Sequence, residues 1–184
     1  MALDMFLVLT PATGQPPVSG EPFQDPYFKL PTASAAVEIR EFSFGVENLT
    51  TVGSATSGAG AGKTTFNEFS IAKPVDKLSR SLFQISSVGG HLARAQLYLR
   101  KAGATTDARP YLAYGFDMVF ISKIDWSGSL GDDEPNERVT FVYGALALGY
   151  YPQKADGTFD VPVKSAWSVV SNTAPPPDSI LTGF

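Results

Sequence analysis

Cysteine is absent from the chain, and histidine occurs once, at His91. The first absence removes disulfides, thiolate nucleophiles and cysteine metal sites together. The second leaves any metal site to be built mostly from carboxylates, which suit hard cations better than zinc or iron. Charge is scarce too: Asp, Glu, Lys and Arg make up 17% of the residues, with a net charge of -4 and a pI near 4.9. No basic field exists to attract phosphates, so neither nucleic acid nor an anionic membrane is an expected partner. Long apolar runs are missing. The longest, Ala145 to Tyr151, falls far short of the roughly 18 residues a membrane-crossing helix needs, so no membrane insertion is expected. The opening Met1-Ala2-Leu3-Asp4-Met5-Phe6-Leu7-Val8-Leu9 has no cationic n-region, and Asp4 interrupts its apolar run. It reads as a strand rather than a cleavable signal peptide.

What the chain does have is apolar side chains and chain breakers. Hydrophobic residues at 43%, with 17 Gly and 14 Pro among 184 residues, describe one domain with a real core, short strands and many turns. Residues 11–36 carry six prolines, too many for regular pairing, and read as a proline-rich insertion loop. Val37 and Ile39 alternate with polar neighbours, then Phe42, Phe44 and Val46 continue in the opposite parity, so a bulge is expected near Arg40. Residues 49–64 form a Gly/Ser/Thr/Ala tract with little side-chain volume to bury, expected as an extended flexible loop. Strand character resumes at Thr65, Asn67, Phe69 and Ile71. Val75, Leu78, Leu82, Ile85 and Gly89 fall at helical spacing, with Asp76 or Ser79 as N-cap and Gly89-Gly90 as the stop.

Three further strands follow. Ala93, Ala95, Leu97 and Leu99 alternate with Arg94, Gln96, Tyr98 and Arg100, the pattern of a half-buried strand. Leu112, Tyr114, Phe116, Met118 and Phe120 give a second. In the third, Phe141, Tyr143, Ala145 and Ala147 occupy one face while Val142, Leu146, Leu148 and Tyr150 occupy the other, so both faces need cover from a helix, a second sheet or a neighbouring subunit. Val161, Val163, Trp167 and Val169 share one parity of a last strand, and Thr173-Ala174-Pro175-Pro176-Pro177 ends regular structure, leaving residues 173–184 as an expected loose tail. Strands with hairpin-length links and one helix predict a mainly β fold, an antiparallel β-sandwich or barrel with one flanking α-helix.

No motif carries a convincing activity. Gly58-Ala59-Gly60-Ala61-Gly62-Lys63-Thr64-Thr65 looks like a phosphate-cradling loop, but Ser57 stands where its first glycine belongs, and a strand follows instead of a helix. His91 lacks a nucleophile elbow around Ser86 and Ser87, and a histidine just past a helix stop fits a dipole partner or a backbone donor better. Asp132, Asp133, Glu134 and Glu137 lack the spacing of a calcium loop and read as a solvated hairpin tip. Asn48-Leu49-Thr50 fits a glycosylation sequon, a three-residue match of little weight without a secretory signal. Trp126, Trp167 and Tyr151 could stack on a sugar, which keeps a secreted carbohydrate-binding β-sandwich as the alternative reading beside core or subunit contact. No catalytic residue, cofactor or metal ligand is assigned.

The order of the pieces is more specific than any of these motifs. Met1 to Leu7, Phe42-Ser43-Phe44-Gly45, Gly60-Ala61-Gly62-Lys63, Asp76-Lys77-Leu78-Ser79 and Gly90-His91 occur in sequence. The strand from Ala95 to Gly103, Tyr151-Pro152-Gln153-Lys154-Ala155-Asp156-Gly157, Val163-Lys164 and Trp167 complete the series. In this order the chain resembles the hemolysin-coregulated protein family, the tube subunit of type VI secretion systems, over residues 1–172. The resemblance implies a β-barrel-like subunit of a homo-hexamer whose rings stack into a hollow tube. It further implies a contractile sheath, a spike protein and secreted effectors as partners, with assembly in the bacterial cytoplasm followed by export without a cleavable signal peptide. By position, residues 49–64 correspond to the family's extended loop, and Ser57, Gly58, Gly60, Gly62 and Lys63 are the residues assigned to an inter-subunit or inter-ring contact. The insertion at 11–36, Arg80 in place of a common proline, and the tail after Asn172 depart from the family pattern.

Overall fold

The computed structural model describes residues 3–20, 36–48, 64–101, 109–154, 158–182 and 184. In these the chain runs β1 (Leu3–Pro11), β2 (Ala36–Glu38), β3 (Glu41–Ser43), β4 (Val46–Asn48), β5 (Thr64–Phe66), β6 (Phe69–Pro74), α1 (Lys77–Ser87), β7 (His91–Lys101), β8 (Leu112–Ser127), β9 (Asn136–Tyr150) and β10 (Val163–Ser168), with a 3-10 turn at Pro177–Ser179. One antiparallel sheet has the order β2-β1-β7-β8-β9-β6-β3, with β10 also on β9, and β4 and β5 form a separate ribbon. A single edge of β9 is shared: β6 pairs with Asn136 to Phe141, and β10 with Ala145 to Tyr150. The mainly β class with one helix is the one the sequence predicts.

The two ends of that sheet order, β2 and β3, are separated by only Ile39 and Arg40. The Ile39 amide donates to the Met5 carbonyl on β1 (3.0 Å), and the next amide, Arg40, donates to the Ala72 carbonyl on β6 (2.8 Å). This segment therefore joins the two edges of the sheet and curls it toward a barrel. The parity slip expected as a bulge is this transfer between edges. Before it Val37 and Ile39 enter the core, and after it Phe42 and Phe44 pack against the same core. That core is aromatic at its centre, where Phe69 stacks on Phe116 with ring centroids 4.2 Å apart and Phe44 meets both edge-on.

Helix α1 starts where its sequence says it must. Asp76 accepts from the amides of Leu78 (2.9 Å) and Ser79 (3.2 Å), and the Ser79 hydroxyl accepts from the Asp76 amide (3.1 Å), so of the two candidates Asp76 is the N-cap and Ser79, at the third helical position, completes a capping box. Leu78, Leu82 and Ile85 are fully buried on the sheet. Gly89, at φ 65°, ends the helix in a conformation that favours glycine. Under the helix entry lies an ion pair absent from the sequence reading. Lys73 on β6 and Glu137 on β9 are register partners and both are completely buried, with Nζ to Oε2 at 2.9 Å. Lys73 Nζ also donates to Asp76 Oδ1 (2.6 Å), Ser79 Oγ (3.0 Å) and the Pro74 carbonyl (3.0 Å). Glu137 accepts from Ser79 Oγ (2.7 Å) and Trp126 Nε1 (2.8 Å). Two desolvated charges are thus met on every side, the condition under which a buried pair persists.

The central strands crease at one level. On β7 the inward residues change parity between Leu92 and Ala95, on β8 between Phe116 and Val119, and on β9 between Phe141 and Leu146. The β8 crease is at Met118, whose φ is 54°, and Gly144 lies across from it, between the pairs Asp117↔Ala145 and Val119↔Tyr143. A Cβ at Gly144 would sit 3.1 Å from that of Met118 and 3.2 Å from a Val170 methyl, so any larger residue at the crease would have to push these neighbours aside by a few tenths of an ångström.

Beyond the crease the outward residues form a second buried cluster of Phe6, Val8, Ala36, Tyr98, Ala113, Ala145 and Ala147, closed by Ile180, Leu181 and Phe184. The tail expected to be loose is therefore corrected: residues 177–182 and 184 lie as a strap across the outer face, with Ile180, Leu181 and Phe184 buried. Gly115 and Gly149 make room, because a Cβ at either would come within 2.9 Å of Ile180 or 2.5 Å of Phe184. The strap also changes the meaning of β7, whose polar alternates Gln96 and Tyr98 are buried beneath it rather than facing solvent.

Two outcomes follow. Lys73→Met leaves Glu137 buried without its cation and is expected to cost about 3–5 kcal/mol in urea unfolding. Adding Glu137→Leu should restore part of that loss, and strictly additive single losses would refute the pairing. Burial pushes the phenols of Tyr98 and Tyr143 from the ordinary 10.0 up to about 12, opposed at Tyr98 by Arg94 and a hydrogen bond with Gln96. The folded state keeps these protons while the unfolded state releases them. Stability should therefore hold up to about pH 10 and fall between about 10 and 12, as read from urea midpoints alongside phenolate absorbance.

Candidate subunit-contact surface

The strand with two apolar faces leads to the site. Past the crease, one face of β9 carries Ala145 and Ala147 under the strap, and the other carries Leu146, Leu148 and Tyr150. In register on β10, Trp167 lies opposite Leu146, Ser165 opposite Leu148, and Val163 opposite Tyr150. Residues directly opposite in an antiparallel pair share a face, so these six make one surface. Leu148, Tyr150, Val163 and Trp167 are all exposed, Val163 at 65%. Inward, the same face continues through Leu146 to Phe116, which is completely buried. The stripe is thus an extension of the main core that β10 carries beyond its cover. Of Val161, Val163, Trp167 and Val169, grouped by parity in the sequence, Val163 and Trp167 prove to be on the open side of the last strand and Val161 and Val169 lie exposed beyond its two ends, while Lys164, Ala166 and Ser168 alternate as its half-buried side. Single exposed apolar residues are ordinary, but a contiguous set marks a surface that meets something.

The contact residues drawn from the sequence, Ser57, Gly58, Gly60, Gly62 and Lys63, lie outside the described residues, as do positions 21–35 of the insertion. Their flanks are described. Asn48 and Thr64 pair at the end of the β4–β5 ribbon, so the tract from 49 to 63 springs from a two-stranded stem. Tyr143 donates to the Asn67 carbonyl (2.9 Å) and the Asn67 amide to the Gly45 carbonyl (2.9 Å), tying that stem to the barrel. Thr64 and Thr65 enter a strand, as the departure from a nucleotide loop requires. The sequence expected one strand through Thr65 to Ile71. Two are present, because β5 pairs with β4 while β6 belongs to the main sheet.

The remaining candidates are dispersed. His91 opens β7 and stacks on Phe120 at 5.1 Å, a packing role in the sheet in place of the expected one at the helix end, and Ser87 donates to the Phe83 carbonyl (2.8 Å). The acidic hairpin is not simply solvated: Asp132 accepts from the Ser129 amide (2.8 Å), Glu134 pairs with Arg40, and Glu137 is buried with Lys73. Among the described residues no group of three or more His, Cys, Asp or Glu side chains is placed to hold a metal ion. Trp126 lies opposite Glu137 and Trp167 opposite Leu146, nine residues along β9, about 30 Å of strand. Tyr151 packs between Phe159 and Phe184. These three aromatics therefore form no common sugar platform. Trp126 instead leans on Phe83 of α1 and donates to Glu137. Among the described residues no helix is long and apolar enough to cross a membrane.

Comparison with known proteins places this architecture. Residues 17–150 match the family model described as type VI secretion system effector, Hcp. Protein hcp1 of Pseudomonas aeruginosa is 35% identical over 111 residues, which cover 60% of this chain and 68% of that protein. Among solved structures, a type six secretion system protein superposes with a TM-score of 0.79 at 24% identity, covering 95% of this chain and all of the other. Hcp1 from Salmonella typhimurium gives a TM-score of 0.68 at 20% identity over 95% of this chain and all of its own. At such identities the two structures speak for the fold, and the family match, which spans most of the sequence, speaks for descent. The curled sheet, its flanking helix and the ordered sequence pattern are those of a type VI secretion tube protein, and the chain belongs to the Hcp family.

Proposed function

We propose that this chain is the structural subunit of a type VI secretion tube, forming hexameric rings that stack into a hollow conduit. The tube is built in the bacterial cytoplasm, exported with the spike, and able to carry effectors in its lumen, with the contractile sheath around it. The observation that carries this reading is the open stripe of Leu148, Tyr150, Val163 and Trp167, an apolar face continuous with the core. A ring of identical copies covers such a face by association, which a monomer leaves in water. The work of the protein on this reading is done by surfaces, and no catalytic group is assigned. Ser57, Gly58, Gly60, Gly62 and Lys63 supply the contact between subunits or rings, where small residues let backbones approach closely.

Negative-stain images and native mass spectra of the purified protein are expected to give six-fold annuli with an open centre. A strictly monomeric species at high concentration would end this reading. Val163→Asp places a charge in the stripe and should weaken association at least tenfold, about 1.4 kcal/mol. Its unfolding midpoint should stay within about 0.5 kcal/mol of the parent. Replacing residues 57–63 by a short turn should leave the subunit folded and reduce ring stacking in sedimentation. Loss of folding would instead assign the tract to the core.

A further inference from the structure

The strap across the outer face is held as a bound peptide is held. Its apolar side chains Ile180, Leu181 and Phe184 enter spaces that Gly115 and Gly149 leave open, and its carbonyls are met by side-chain donors from the sheet. Arg94 Nη2 donates to the Ser179 carbonyl (2.6 Å) and Nη1 to Thr182 Oγ1 (3.2 Å). Gln96 Nε2 donates to the carbonyls of Ile180 (3.4 Å) and Thr182 (3.3 Å), and the Tyr98 hydroxyl also reaches the Thr182 carbonyl (3.4 Å). Lys164 bonds the Phe184 carbonyl and pairs with Asp178 (2.7 Å). Gln96 and Tyr98 are almost wholly buried under the strap, so while it lies there their donors depend on its backbone acceptors.

We propose that the outer face of β1, β7, β8 and β9 is a peptide-docking groove whose occupant, the strap that carries Ile180, Leu181 and Phe184, exchanges between copies of this chain. Each copy carries both the groove and its ligand, so an exchanged strap makes the same contacts as a resident one and loses none of them. The arm that precedes it is extended up to the turn at Pro177, because Pro175 and Pro176 are each followed by proline and are held to extended backbone, with Pro176 at φ -58° and ψ 125°. The arm is rooted at the end of β10, where Ser168 bridges Thr173, and β10 is the strand that carries Val163 and Trp167 of the open stripe. If copies meet at that stripe, the arm of one begins beside the groove of the next. To that extent the inference rests on the ring reading. The matched family region ends at residue 150, so it includes β7, β8 and β9 of the groove, while β10, the arm and the strap lie beyond it.

The absence of cysteine makes a direct test possible in the full chain. Ala147→Cys and Leu181→Cys are made in separate chains of different mass and together in one chain, and all are oxidised mildly. A second pair, Arg94→Cys and Thr182→Cys, replaces a contact made through the long arginine side chain, so it is joined by a short bis-thiol-reactive cross-linker in place of a direct disulfide and leaves the apolar cluster intact, should Leu181→Cys fail to fold. The doubly substituted chain is expected to close its own disulfide. The mixture of single variants is expected to yield a cross-linked heterodimer that accumulates over hours and rises with concentration. Closure within the double variant without any cross-link in the mixture overturns exchange, and so does failure of both. Native mass spectra of the same samples report the rings independently. Rings without cross-links leave the ring reading standing and remove this one, whereas cross-links without rings support exchange and count against the ring.

Discussion

A strand that is apolar on both faces cannot lie at the surface of a sheet, and β9 imposes that constraint on the whole molecule. Its first half faces the aromatic core with Val139 and Phe141. After the crease at Gly144 the sides exchange: Leu146 turns to the core, while Ala145 and Ala147 turn outward under the strap. Small side chains on the outward side keep the strap close to the sheet, and Gly149 lets the Phe184 ring lie over the backbone. The crease, the strap and the two glycines are parts of one solution to covering a single strand twice. The sides left open, Leu148 and Tyr150 with Val163 and Trp167, are those that a single copy does not cover.

The buried pair of Lys73 and Glu137 solves a different problem, the placement of α1. A helix with three buried apolar residues can slide along a sheet at little cost, since hydrophobic contact is non-directional. Lys73 and Asp76 fix one end. The ammonium sits under the first turn and binds the N-cap carboxylate, and Glu137 reaches the Ser79 hydroxyl of the same turn. Helix start, β6 and β9 are thereby locked in one register, and Trp126 of β8 joins through its indole N–H. Charge of this kind specifies position more than it adds net stability, because desolvation offsets much of the attraction.

Legibility in the sequence followed the range of the interaction. The helix was readable to within two residues at each end, since Asp76, Ser79 and Gly89 act on their own neighbours. So was the parity slip at Arg40, although its meaning was not: a bulge and a transfer between sheet edges leave the same mark in a sequence. The ion pair was hidden because Lys73 and Glu137 lie 64 positions apart, and Glu137 stands next to a hairpin where carboxylates are ordinarily solvated. The strap was misread for a related reason. Proline after β10 ends regular structure, but Ile180, Leu181 and Phe184 beyond it were the signal of a segment with something to bury, and the alternation of β7 hid the fact that its polar side also needed cover. The doubly apolar pattern of β9 was plain, and it located the open stripe without saying which half would be covered by the chain itself.

The proposed ring would impose one more condition on that stripe. Copies related by a closed rotation other than two-fold meet through two different patches, so the stripe has to dock on a surface unlike itself. The position of β10 suits such a contact. Among the described residues it pairs with β9 along one side, and its other edge, beyond the bridge of Ser168 to Thr173, presents backbone groups beside the apolar side chains of Val163 and Trp167. Unpaired edges invite strand addition, and an edge with an adjoining apolar face gives direction as well as affinity to the contact. Two like stripes packed face to face would bury each other and stop at a dimer. A neighbour that presents a different surface to this edge leaves its own stripe free for the next copy, and repetition through a fixed angle closes the circle. The asymmetry that β10 introduces, one edge paired and one face overhanging the core, is the local feature that would suit the proposed ring better than a two-fold dimer.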